Sequence, residues 1–270
     1  MDCSNNNGSG INMGEVAREG FSFVFCKVSE GNYFQDATWP GYRDAARAAG
    51  LRVAGYHYAA ASSSPASQVA NFQSNVGDLT VPVMIDFEAN SGGINDYWAL
   101  VDAFNAAGQR VTLTYLPYWY WTSIGSPDLS QVPGLISSNY PAGGGFASSI
   151  YTEIGGDAGA GWRSYGNATP AIWQFSDQAS IAGYSLDANA FRGDLTQLDA
   201  LLGGDMTPEQ AAQLADVQNK VDLILQQLAG PNEDFKGWPE GGGRTQYDLT
   251  AAVAAHVGVP NTSDKAAGAQ

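Results

Sequence analysis

Short apolar runs rich in β-branched and aromatic residues recur through the first two-thirds of the chain. They lie at 21–29 (FSFVFCKVS), 52–59 (RVAGYHYA), 81–88 (VPVMIDFE), 110–117 (RVTLTYLP) and 170–177 (PAIWQFSD), and each predicts a strand. Between them, 39–50 (WPGYRDAARAAG), 64–77 (SPASQVANFQSNVG) and 96–108 (DYWALVDAFNAAG) carry apolar residues at helical spacing. Each of these segments ends at a glycine, Gly50, Gly77 or Gly108, where a left-handed helix stop is expected. Strand and helix in alternation predict an α/β fold with a parallel sheet. No glycine-rich phosphate loop follows the first strand, so a closed (β/α) TIM-like barrel is favoured over an open dinucleotide-binding sheet. The glycine-rich stretch 141–162 breaks the rhythm, so the barrel is expected to be irregular.

The style of the chain changes at Gly203 and Gly204, which places a boundary near Asp205. The predicted organisation is a barrel over 1–204, a short helical C-terminal appendage over 205–258 and a flexible tail over 259–270. Thr207, Pro208 and Glu209 read as a helix start. In the helix predicted over 208–228, Leu214, Val217, Val221, Ile224 and Leu228 form a heptad seam of about two heptads, which either docks on the barrel or pairs with a second copy. A further short helix is expected from about Thr245 to Val257.

Composition narrows the function. The 270 residues carry a formal net charge of −15, which repels a phosphate backbone or an anionic membrane surface, so no nucleic-acid or membrane partner is expected. No apolar run approaches the ~18–20 residues of a membrane span. The N-terminal residues lack the basic-then-apolar pattern of a signal peptide, so an unexported chain is expected. Cys3 and Cys26 each fall in a strand-like segment and read as buried free thiols in preference to one bridge between neighbouring strands. His57 and His256 are far apart without companion ligands, so neither a metal site nor a cofactor is expected.

The chemistry concentrates in VPVMIDFE. Strand alternation sends Val83, Ile85 and Phe87 to one face and Met84, Asp86 and Glu88 to the other. Helices cover the first face, so the two carboxylates point into the barrel mouth, their Cβ atoms ~6.5–7 Å apart. Carboxylates so close titrate apart, one holding a proton as general acid while the other stays anionic, as glycoside cleavage requires. Taken alone, the tripeptide is common and reads first as a solvated strand end whose acids cap the next helix. Family-18 chitinases also carry an Asp-x-Glu, but theirs extends upstream through two alternating aspartates, where this chain has Pro82 and Met84.

Several segments, in order, resemble the family-25 glycoside hydrolases: DCSNNNG at 2–8, FVFCKVSEGNYFQD at 23–36, GYHYA at 55–59, VPVMIDFE at 81–88, IWQFSD at 172–177 and SLDANAF at 185–191. The resemblance covers residues 1 to about 204. It implies an irregular β/α barrel that cleaves the β-1,4 linkage between N-acetylmuramic acid and N-acetylglucosamine, with peptidoglycan glycan strands as partner. Carried over by motif, Glu88 is the general acid, and Asp86 stabilises positive charge or orients the substrate's N-acetyl group. Asp2 and Asp187 complete the acidic cluster. The family has a short apolar strand before its first Asp, whereas this chain begins Met1-Asp2; a frayed Asp2, or a natural start upstream, is therefore expected.

Aromatic faces stack on sugar C–H surfaces, and Tyr56, Tyr58, Tyr115, Tyr118, Trp119 and Trp173 sit near predicted strand ends. The resemblance points to Tyr58, Tyr115 and Trp173 as substrate-binding residues. His57 alternates out of phase with Tyr56 and Tyr58 and reads as a wall histidine. Lys27 and Glu30 are expected to form a structural ion pair, and Asp36 to shape its loop. The missing signal peptide and small appendage resemble a bacteriophage endolysin of an actinobacterial phage, held in the host cytoplasm until release to the wall. GWP at 237–239 and GRT at 243–245 carry the likeness of the appendage. The competing expectation is a virion or tail-associated lysozyme-like protein that binds or locally degrades the wall.

Overall fold

The structure is a computed structural model, and it describes residues 1–140, 143–202, 220–228, 238 and 243–262. The chain divides into two compact units, Met1–Gly204 and Asp205–Gln270. In the first, β1 (Asp2–Cys3), β2 (Phe23–Glu30), β4 (Arg52–Tyr58), β5 (Val83–Asp86), β6 (Val111–Tyr115), β7 (Leu135–Ser138), β9 (Ile172–Ile181) and β10 (Tyr184–Phe191) close into an eight-stranded barrel. Two short strands stand outside the ring: β3 (Phe34–Gln35) pairs with β2, and β8 (Gly145–Phe146) with β9.

Neighbours around the ring are parallel from β1 through β9, and β10 runs antiparallel to both β9 and β1. The parallel expectation fails at this one strand for a local reason. Only Ala182 and Gly183 separate β9 from β10, both at positive φ (49° and 83°), so they make a tight hairpin and leave no length for a crossover helix.

Helices α1 (Met13–Arg18), α2 (Trp39–Ala48), α3 (Pro65–Val76), α4 (Ile94–Ala106), α5 (Tyr118–Ser123) and α6 (Ala147–Glu153) link the strands. Gly50, Gly77 and Gly108 all take left-handed φ values of 72–78° just beyond α2, α3 and α4. The outward strand residues Val83, Ile85 and Phe87 pack under the helices in one core with Trp39, Phe72, Tyr97 and Phe104. The inward residues Phe23, Phe25, Ala54, Met84, Leu113, Ile136 and Ile172 form a second core inside the barrel. Leu198 and Leu202 of α7 (Leu195–Leu202) plug that core from the N-terminal end, where Asp199 grips Arg52, the first residue of β4, through two hydrogen bonds of 2.6 and 2.9 Å. The open end of the barrel is therefore the C-terminal end of the parallel strands, the usual place for chemistry in this architecture.

Cys3 and Cys26 face each other across β1 and β2 as buried free thiols, with Sγ atoms 3.4 Å apart. Asp36 is fully buried and accepts hydrogen bonds from the Asn5 and Thr38 amides, each at 2.8 Å, and so ties two loops together.

In the second unit, residues 220–228 are helical (α8), and α9 spans Gln246–His256 behind a capping box made by Thr245 and Asp248. Of the predicted seam, Leu214 and Val217 lie outside the described residues, as does the helix start at 207–209. Val221, Ile224 and Leu228 are exposed. Trp238 bridges to Arg244. Of the predicted tail, 263–270 lies outside the described residues.

Candidate active site

β5 is a four-residue strand buried on both faces, and its end carries the two central carboxylates. Asp86 closes the strand, with its carbonyl accepting from the Ala59 amide at 2.9 Å. Glu88 follows in a loop pinned by Ser91, whose hydroxyl accepts from the Glu88 amide at 3.1 Å and donates to the Ala59 carbonyl at 2.8 Å. The chain turns away at Asn90, at φ 68°. Both carboxylates line a cavity of about 620 Å³ at the open end of the barrel, within the range of ordinary small-molecule sites.

The opposite wall carries the rest of the acidic set. Asp2 and Asp187 are register partners across β1 and β10, and both line the cavity together with Asp177. Asp2 is not frayed, contrary to the expectation from the sequence: β1 is short but is paired on both edges, which holds its backbone. The Asp2 carboxylate is buried and accepts from Gln174 Nε2 and Asn189 Nδ2, each at 2.8 Å. A chain of side chains continues outward, with the Tyr140 hydroxyl donating to Gln174 Oε1 and sharing a 3.3 Å hydrogen bond with the Tyr115 hydroxyl.

Burial governs the electrostatics. Asp86 is pushed well above the ordinary carboxyl range, first by loss of water and then by the charge of Glu88. Its Oδ1 is buried without a hydrogen-bond partner. Burial also raises Glu88, and Lys27 opposes the rise. Asp187 is pushed up to about 10 by burial and by Asp2. Several of these acids thus hold protons at a pH where an acid in water would have lost its own.

The candidate aromatics divide. Tyr58 and Tyr115 line the cavity, with Tyr58 anchored by a 2.7 Å hydrogen bond from its hydroxyl to the Ala89 carbonyl. Tyr56 and the half-exposed Trp119 line it as well, whereas Tyr118 does not. Trp173 does not belong to the site. Alternation along β9 turns Ile172 and Gln174 inward and Trp173 outward, where it is fully buried against Tyr151, Trp162 and Phe175. The family resemblance points to Trp173 through its motif, and a motif match does not by itself decide which way a strand residue faces.

Gln174, Asn189 and Asp177 also line the cavity and carry no sequence signal of their own: the two amides act through hydrogen bonds that spacing does not encode, and Asp177 is a lone acid on a strand with no paired carboxylate beside it. Tyr140 comes from an irregular loop with no pattern to find it. His57 is a wall residue, as its alternation indicates: its ring meets Ser29 Oγ at 2.8 Å and Gln68 Oε1 at 3.0 Å, and burial lowers it to about 4. Among the described residues, no group of His, Cys, Asp and Glu is placed to hold a metal ion.

Comparison with known proteins adds to this geometry. Lysozyme M1 of Streptomyces globisporus is 28% identical over 224 residues, covering 74% of this chain and 70% of that protein. A bacterial lysozyme from Streptomyces coelicolor shares the fold at a TM-score of 0.61 and 25% identity, covering 75% of this chain and 95% of the other. A muramidase from Trichobolus zukalii matches at 0.61 and 24%, covering 76% and 98%. The family model of the glycosyl hydrolases family 25 matches residues 1–184, a span that takes in β1 with Asp2, the β5 carboxylates and the turn into β10. A match of that extent over a closed barrel makes this chain a member of the glycosyl hydrolases family 25, and so a glycoside hydrolase.

Proposed function

We propose that the barrel hydrolyses peptidoglycan at the β-1,4 linkage between N-acetylmuramic acid and N-acetylglucosamine. The observation that carries this reading is the pair Asp86 and Glu88 at the open end of the barrel, both raised by burial, facing Asp2 and Asp187 across one cavity. The relatives named as lysozymes and as a muramidase support the substrate class.

In this reading Glu88, the less buried of the pair, gives its proton to the glycosidic oxygen as the C–O bond breaks. Asp86 lies deeper with an unpartnered oxygen, suited to accept the N–H of the substrate's N-acetyl group. Such a donor stabilises the Asp86 anion, which leaves the shared proton on Glu88. Water then adds its oxygen to the anomeric carbon, and its proton restores the acid. Asp2, held by Gln174 and Asn189, and protonated Asp187 hold the sugar from the far wall. Tyr58, Tyr115 and Trp119 supply ring faces for it.

The test is digestion of peptide-stripped peptidoglycan with the full-length protein and with Glu88→Gln, followed by mass analysis of the released ends. Reducing N-acetylmuramic acid ends from the parent, lost in a folded Glu88→Gln variant, are expected. Ends of another sugar, or an unimpaired variant, would overturn the assignment.

For the biological setting we propose a phage lysin, supported by the second compact unit that follows the barrel. The exposed Val221, Ile224 and Leu228 of that unit support a role in self-association.

A further inference from the structure

Lys27 is the single cationic side chain lining the cavity among the described residues, set among five carboxylates: Asp2, Asp86, Glu88, Asp177 and Asp187. Its ammonium is not free to swing toward substrate. It donates to Glu30 Oε2 at 2.6 Å and lies 5.4 Å from the Phe34 ring centre and 5.2 Å from that of Tyr58. Tyr33 donates to the other Glu30 oxygen at 2.9 Å, so the counter-ion is fixed too. The Lys27 side chain is only 11% exposed. An ammonium clamped in this way, in a wall shielded from water, acts on its neighbours from one fixed position and at short range.

We propose that Lys27 and Glu30 form an electrostatic setting for the β5 carboxylates, Lys27 as a positioning residue that fixes the pH range in which the site works. The proposal rests on the hydrolytic reading above and goes beyond a structural ion pair. Lys27 favours the anionic forms of both Asp86 and Glu88, and Glu30 partly cancels that effect at Asp86. The other groups facing the pair are Asp2 on β1, Asp187 on β10, Asp177 on β9, Tyr56 and Tyr58 on β4, Tyr115 on β6 and Tyr140 beyond β7. All are acids or phenols, and none supplies a positive charge. Without Lys27 the pair would keep its protons to higher pH, and the carboxylate that must be anionic would be protonated over the range where the parent works.

The two members therefore have opposite signs. Lys27→Met removes the positive charge with similar volume, and is expected to move both limbs of the kcat/KM against pH profile upward by about 0.5–1 pH unit. Glu30→Gln removes the negative charge and is expected to move the profile downward, while Lys27→Arg keeps the charge and should keep the parent profile. A purely structural pair would lower activity or melting temperature in every variant without opposite displacements of the profile.

Titration of ¹³C-labelled side-chain carboxyls by NMR reads the same displacements without turnover. Titrations that shift up in Lys27→Met and down in Glu30→Gln support the proposal even if the parent cleaves no peptidoglycan, a result that would remove only the hydrolytic reading. Profiles and titrations that stay in place, or move together, in variants with parental circular dichroism would overturn it.

Discussion

Replacing Trp173 by alanine separates two accounts of that residue, a sugar platform or a wedge under the barrel wall. The indole is fully buried, and its Nε1 donates to the Asn139 carbonyl at 3.1 Å. Ring centres of Tyr151 and Trp162 lie 5.8 Å away, and that of Phe175 at 6.1 Å. One face presses on Gly159 and Gly161, where a Cβ would come within 2.4 and 2.1 Å of indole atoms, so no side chain there can expand into the hole. A site that collapses poorly belongs at the upper part of the Trp-to-Ala range, ~3–5 kcal/mol. The orphaned Asn139 carbonyl adds ~1 kcal/mol.

At ~2–4 °C per kcal/mol for a unit of this size, the melting temperature of the barrel should fall by ~10 °C or more. The assay is thermal unfolding followed by circular dichroism, with turnover measured well below the variant's transition, where KM should stay near the parental value. A variant that melts with the parent but binds glycan poorly would refute the placement of Trp173 in the core.

Other outcomes follow from the same structure. Trp119→Ala is expected to raise KM several-fold with little change in melting temperature, because the side chain is half-exposed at the cavity; unchanged kinetics would remove it from the site. His57 is fully buried and lowered from 6.5 to about 4, so its contribution to stability is present above pH 6.5 and is lost as pH falls toward 4. At ~1.4 kcal/mol per pH unit the loss approaches ~3 kcal/mol, and urea titrations at pH 7 and 4.5 should show a smaller acid loss for His57→Gln than for the parent. Asp187 is raised to about 10, so the stability it contributes is present below its ordinary value near 3.8 and is lost as pH rises through that window. Asp187→Asn should therefore gain more melting temperature at pH 8 than at pH 4 while losing turnover, and equal melting at pH 8 would contradict the burial argument.

The sequence by itself determined the elements whose signals are local. Alternation in VPVMIDFE sent Asp86 and Glu88 into the barrel and Val83, Ile85 and Phe87 under the helices, because the strand period of two is a property of the backbone and not of its neighbours. Gly50, Gly77 and Gly108 marked helix ends for the same kind of reason, since a left-handed φ is cheapest for glycine. Ordered motifs brought the family and its acids into view.

Tertiary structure alone decided what depends on contact between distant segments. It held Asp2 in place by pairing a two-residue strand on both edges, reversed β10 through the Ala182–Gly183 hairpin, and turned Trp173 away from the cavity that Gln174 enters. It also brought Gln174 and Asn189 onto the carboxylate of Asp2, more than 170 residues away in sequence, and set Lys27 as a clamped charge beside the acids of β5. Hydrogen bonds and burial of this kind are pairwise and long-range, so neither periodicity nor spacing along one chain encodes them.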